Sequence, residues 1–101
     1  MNVKYSKEFE KSVRALSGKV LESVRNCIAE VKAAQNIYEI SDCVKMQDYK
    51  NIYRIRIGSL RAFFVFHIEI TDNTVFFKYL VPRVQAYAKR AKEKLKKADQ
   101  D

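Results

Sequence analysis

The stretch IYRIRIGSLRAFFVFH, residues 52–67, reads as two β-strands folded back on each other at Gly58-Ser59. A two-residue loop that opens with Gly suits a type II′ hairpin, whose twist matches that of the strands it joins. The turn fixes the pairing: Ile57 opposite Leu60, Arg56 opposite Arg61, Ile55 opposite Ala62 and Arg54 opposite Phe63. Side chains on a strand alternate between faces. One face is therefore Tyr53, Ile55, Ile57, Leu60, Ala62, Phe64 and Phe66, a core surface. The other carries Arg54, Arg56, Arg61, Phe63 and His67. Like charges directly opposite each other destabilise a sheet, so Arg56 facing Arg61 predicts that something anionic belongs between them.

Moving outward, Asp72-Asn73 predicts a second turn into the run TVFFKYLV. Pairing Thr71 with Thr74 sets Ile68 opposite Phe77 and Phe66 opposite Tyr79, all extending the apolar face, and leaves His67 beside Lys78 on the arginine face. Pro82 ends that strand. From Val84 a helix follows, with Val84, Ala88, Ala91 and Leu95 as its inner stripe. Residues 83–97 hold seven Lys or Arg against one Glu, so this helix is basic.

Toward the N-terminus, residues 2–5 predict a short strand. Ser6 is an N-cap, with Glu8 and Glu10 placed well in the first turn of a helix. Phe9, Val13 and Leu16 give that helix one apolar stripe, and Ser17-Gly18 stops it. A second helix starts at once, with Val20, Leu21, Val24, Cys27, Ile28 and Val31 on its inner face to about Ala34. The short connection makes the two an antiparallel helical hairpin that needs a sheet to cover. Residues 35–51 hold a short strand around 44–46 and a QDYKN loop. The expected fold is α+β in one domain, residues 1–101: an N-terminal helical hairpin on a small, mainly antiparallel sheet, then a basic C-terminal helix.

About half of the 101 residues are apolar and three are Gly or Pro, which suits a single packed core. The net charge of +8 favours an anionic partner: nucleic acid, an acidic protein or an anionic surface. No apolar run reaches the ~18–20 residues of a membrane span, and MNVKYSKEFEK lacks the apolar segment of a secretory signal. A cytoplasmic protein is expected. Cys27, Cys43 and the single His67 match no zinc-binding spacing, and no cofactor is implied.

Arg54, Arg56 and Arg61 are suited to bidentate, permanently charged phosphate contacts, and Phe63 between them offers a base-stacking platform. Lys78 adds to this RNA-binding face. Arg83 and Tyr87, at i and i+4, share a face at the start of the last helix. A guanidinium beside a phenol lowers its pKa and fits Tyr87 for acid–base work. His67 is the one conventional acid–base side chain, and a half-buried strand histidine is its simpler explanation. Paired carboxylates for a metal, a Gly-rich phosphate loop and a nucleophilic Ser elbow are all missing. Catalysis would rest on cations and a phenol.

With these residues in place, the chain resembles the RelE/ParE family of bacterial toxins, along nearly its whole length. The likeness lies in the N-terminal strand and helical hairpin, in YRIRIGSLRAFFVF, which is similar to the family's basic aromatic hairpin, and in PRVQAYAK, which is similar to its HRxxxY ending. It implies a metal-independent, ribosome-dependent mRNA endonuclease: Arg61, Arg83 and Tyr87 catalytic, Arg54 and Arg56 holding RNA. It also implies an antitoxin whose acidic, helical segment covers the basic surface. Pro82 stands where many relatives have His, which leaves proton transfer to Tyr87. The ParE branch shares the fold, poisons gyrase and generally lacks the basic set. A gyrase inhibitor or a simple nucleic-acid binder is the alternative.

Overall fold

A computed structural model describes residues 1–67 and 73–100. Five strands, β1 (Asn2–Tyr5), β2 (Cys43–Lys45), β3 (Ile52–Ile57), β4 (Leu60–Val65) and β5 (Thr74–Pro82), form one sheet in the order β1-β5-β4-β3-β2. β1 runs parallel to β5 and every other pair is antiparallel. Helices α1 (Lys7–Arg14) and α2 (Gly18–Ala33) form the N-terminal hairpin. A short 3-10 turn, Ile37–Glu39, leads into β2. α3 (Arg83–Ala86) and α4 (Lys89–Asp99) close the chain.

The central hairpin has the expected register, residue for residue. Gly58 takes φ +56° and Ser59 stays at negative φ, as a II′ turn requires. Ser6 caps α1: its Oγ accepts from Phe9 N at 3.0 Å and donates to Lys78 O at 2.6 Å. α1 ends at Arg14, earlier than the Ser17-Gly18 stop, and Val20 is 45% exposed rather than on the inner face of α2. Phe9, Val24, Cys27 and Val31 do face inward, against Tyr53, Ile55, Ala62, Phe64, Val75, Phe77 and Leu80. The Phe9 ring stacks on Phe77 at 4.9 Å and Tyr53 stacks on Phe64 at 5.2 Å between centroids, geometries that add ~0.5–1.5 kcal/mol each to area burial. Burial pushes the Cys27 thiol up to about 12, so it packs as a small apolar group.

The second register differs from the expectation. Phe63 pairs with Tyr79 and Phe64 with Phe77, so Lys78 is a bulged residue. The pairing is therefore displaced from Phe66–Tyr79, and His67 does not lie beside Lys78. The expected Thr71–Thr74 and Ile68–Phe77 pairs involve residues outside those described. One extra residue reverses the alternation of a strand. Val75 and Phe77 face α1 and α2 before the bulge and Leu80 does so after it. Phe76, Tyr79 and Val81 face the opposite side.

That opposite side is a second core, which alternation alone did not reveal. Ile52, Phe63 and Val65 are buried there beneath Ala86, Leu95 and Ala98. The expected single C-terminal helix is broken at Tyr87-Ala88, and Val84 is 83% exposed. The stripe that docks is Ala91, Leu95 and Ala98, at i, i+4 and i+7. Two clasps hold α4. Asp99 accepts from Lys50 N and Asn51 N, both at 2.7 Å, and Lys94 pairs with Glu8 of α1 at 2.9 Å.

Candidate active site

The second face of β3 and β4 changes character along its length. At the end far from the turn, Ile52 and Val65 lie under α4, as does Phe63 opposite Arg54; toward the turn, Arg56 and Arg61 take their place. α3 sits at this end because Arg83 N donates to Ser59 O at 2.7 Å. The chain then turns at Tyr87, the C-cap of α3, which has φ −115° and ψ 11°.

Tyr87 meets the arginine face there. Arg54 Nη1 donates to Tyr87 Oη at 3.2 Å, across 33 positions of sequence. Partial burial raises the phenol's pKa, but hydrogen bonding and charge from Arg54, and then from Arg61, outweigh it, and the pKa is lowered. The helical i, i+4 relation to Arg83 does not hold, since α3 ends at Ala86. Arg54 and Arg61 are the cations that act on Tyr87.

Arg61 is 5% exposed. Its Nη1 donates to Gly58 O and Leu60 O, both at 2.8 Å, so the turn clamps one edge of the guanidinium. The Nε atoms of Arg61 and Arg54 are buried without a hydrogen-bond partner. An unmet buried donor costs ~1–3 kcal/mol, more when charged. Among the described residues, none of Arg54, Arg56, Arg61 and Arg83 is paired with a carboxylate. Buried, unpaired guanidinium N–H groups beside a half-exposed phenol make a place for an anion that reaches a proton-transfer group.

The structure brings Arg54, Arg56, Arg61 and Tyr87 together at one end of the hairpin, with Arg83 exposed on the far side of the turn. It leaves three candidates out. Phe63 is 1% exposed under α4 and offers no face for a base. Lys78 lies at the bulge, ~10 Å along β5 at ordinary strand rise from Val81, the partner of Arg61, with its ammonium 4.1 Å from the centre of the Phe76 ring. His67 lies at the other end of the hairpin, in a hollow with Asp48, Lys96 and Asp99. Sequence spacing gave no sign of the Arg54–Tyr87 contact, because the break after Ala86 creates it. Among the described residues no three His, Cys, Asp or Glu side chains cluster as metal ligands, and no helix is long and apolar enough to cross a membrane.

No protein-family model matches the chain. Toxin RelE3 of Methanocaldococcus jannaschii is 27% identical over 88 residues, 86% of this chain and 96% of that protein. Among solved structures, a RelB–RelE antitoxin–toxin complex from Methanococcus jannaschii superposes with a TM-score of 0.67 at 23% identity, covering 83% of this chain and 94% of that one. A free E. coli RelE carrying two arginine-to-alanine changes superposes with a TM-score of 0.69 at 19% identity, covering 96% and 95%. The chain has the fold of the RelE toxins and is similar along most of its length to one of them.

Proposed function

We propose that this protein is the toxin of a toxin–antitoxin pair and that it cleaves mRNA on the ribosome without a metal. The observation that carries the chemistry is the contact of Tyr87 with Arg54, beside the buried and partly unpaired Arg61. The likeness to proteins named as RelE toxins, and to a chain solved with its RelB antitoxin, supports the biological setting.

In this reading the scissile phosphate lies against Arg54 and Arg61. Tyr87, as phenolate, takes the proton of the adjacent 2′-OH, and O2′ attacks phosphorus. The P–O5′ bond breaks, leaving a 2′,3′-cyclic phosphate and a 5′-oxygen that takes its proton from water, and the hydroxide so formed restores the Tyr87 phenolate. The lowered pKa favours the phenolate that the first step needs. Guanidinium N–H groups fixed in place stabilise the charge that grows on the phosphoryl oxygens. The exposed Arg56 and Arg83 hold the RNA backbone on either side of the hairpin turn. An acidic antitoxin segment would compete for these cations.

Tyr87→Phe keeps the ring and removes the proton-transfer group. It should lower ribosome-dependent cleavage by ~10²–10⁴-fold with the melting temperature unchanged, and abolish growth arrest on induction. Cleavage at the parent rate by this variant removes Tyr87 from the chemistry. Replication arrest with intact mRNA would move the protein to the gyrase-directed alternative.

A further inference from the structure

Tyr87 also forms one wall of a cleft of about 740 Å³ between the β2–β3 loop and α4. We propose that this cleft seats the RNA strand as it leaves the scissile bond, with Lys45, Lys92 and Lys96 holding the backbone of the neighbouring nucleotides. The proposal rests on the reading of Tyr87 and Arg54 as the cleavage site. The size is that of a ligand site, and three lysines line it against one carboxylate, that of Asp48. Lys92 and Lys96 are one helical turn apart, about 6 Å along the axis, comparable to the step between phosphates of an extended single strand. Lys45 is held across the loop, its Nζ donating to Tyr49 O at 2.7 Å, and the Tyr49 side chain lines the same cleft.

Continuity favours RNA over an acidic peptide. A strand cut at Tyr87 must leave that point in two directions. One passes the hairpin turn, with Arg56 and Arg83 beside it; the cleft opens in the other. The remaining lysines of α4, Lys89, Lys94 and Lys97, do not line it, and Lys94 is paired with Glu8, so its charge is separable from the helix's overall charge.

The test is fluorescence anisotropy with single-stranded oligoribonucleotides, 2′-O-methylated throughout so that they cannot be cut, of three and eight nucleotides. The parent should bind the eight-mer more tightly and with a steeper salt dependence. K92A/K96A should bind the three-mer like the parent, lose most of the gain from length, and show a slope in log K against log salt shallower by about 1.4, as for two phosphates of a single strand. K89A/K97A removes the same charge outside the cleft and should keep both the gain and the slope. Equal losses in the two double variants, or equal losses for the short and long oligomers in K92A/K96A, would overturn the cleft assignment. So would an eight-residue poly-glutamate peptide that binds the parent more tightly than the eight-mer does and loses that binding in K92A/K96A. If Arg54→Ala binds the three-mer as well as the parent, the arginine cluster is not the phosphate site, and the cleft proposal falls with it.

Discussion

The lowered pKa of Tyr87 follows from its place in the backbone. At the break between α3 and α4 its ring turns back to the hairpin, where Arg54 and Arg61 hold its pKa below the usual phenol value. The sign of the pH dependence follows. If the phenolate is the active form, cleavage rises with pH through that lowered pKa. Removing a cation that favours the phenolate moves the titration upward. Arg54→Ala should therefore shift the ascending limb of the single-turnover rate to higher pH, beyond any loss of affinity. The difference in phenolate absorbance between the parent and Tyr87→Phe should shift with it. A limb that stays in place in Arg54→Ala would separate this arginine from the proton transfer. The grouping of Arg54, Arg56 and Arg61 was legible from one glycine, because the Gly58 turn leaves a single register. Phe63 misled because alternation tells which face a side chain takes and not what covers that face.

The hairpin and the last helix show the limit of local pattern at the scale of elements. Turn chemistry settles β3 and β4, since a two-residue loop admits no slippage. The β4–β5 register depended on a turn assigned to Asp72-Asn73 and on uninterrupted alternation, and a bulge at Lys78 breaks that alternation. In α4 the sequence shows a heavily charged run, yet Leu95 and Ala98 within it seal the second core. The two cores can be compared directly. Phe64→Ala, in the core under α1 and α2, should destabilise by ~3–5 kcal/mol, and Leu95→Ala, in the core under α4, by ~2–5 kcal/mol. Both can be read from urea denaturation. Leu95→Ala should in addition make Phe63 and Ile52 accessible, seen as faster amide exchange along β3 and β4. If Leu95→Ala costs under ~0.5 kcal/mol, α4 is not a structural cover.

At the scale of the whole molecule, the bulge in β5 has a consequence for what each side of the protein is made of. Phe76, Phe77, Tyr79, Leu80 and Val81 are all large and apolar, and any of them would suit either interior. What assigns them is parity. Lys78 adds one to the count, so an odd step is inserted and the residues after it exchange sides relative to those before. The backbone carbonyl of that same residue receives the Ser6 hydroxyl at the start of α1, which ties the odd step to one place. Deleting Lys78 removes the extra residue and leaves plain alternation, with Phe77 and Leu80 beneath α1 and α2 and Tyr79 and Val81 beneath α4, so that variant should fold by circular dichroism, whereas one residue inserted between Tyr79 and Leu80 should send Leu80 beneath α4 and Val81 beneath α1 and α2 and leave no folded protein. Lys78→Ala keeps the bulge and should melt within a few degrees of the parent; an insertion variant that folds as well would show the side chains themselves to be choosing. The strand thus reads the same on both sides of Lys78 only because that one residue drops out of the count, and a further insertion survives only with a second that restores the even–odd sense.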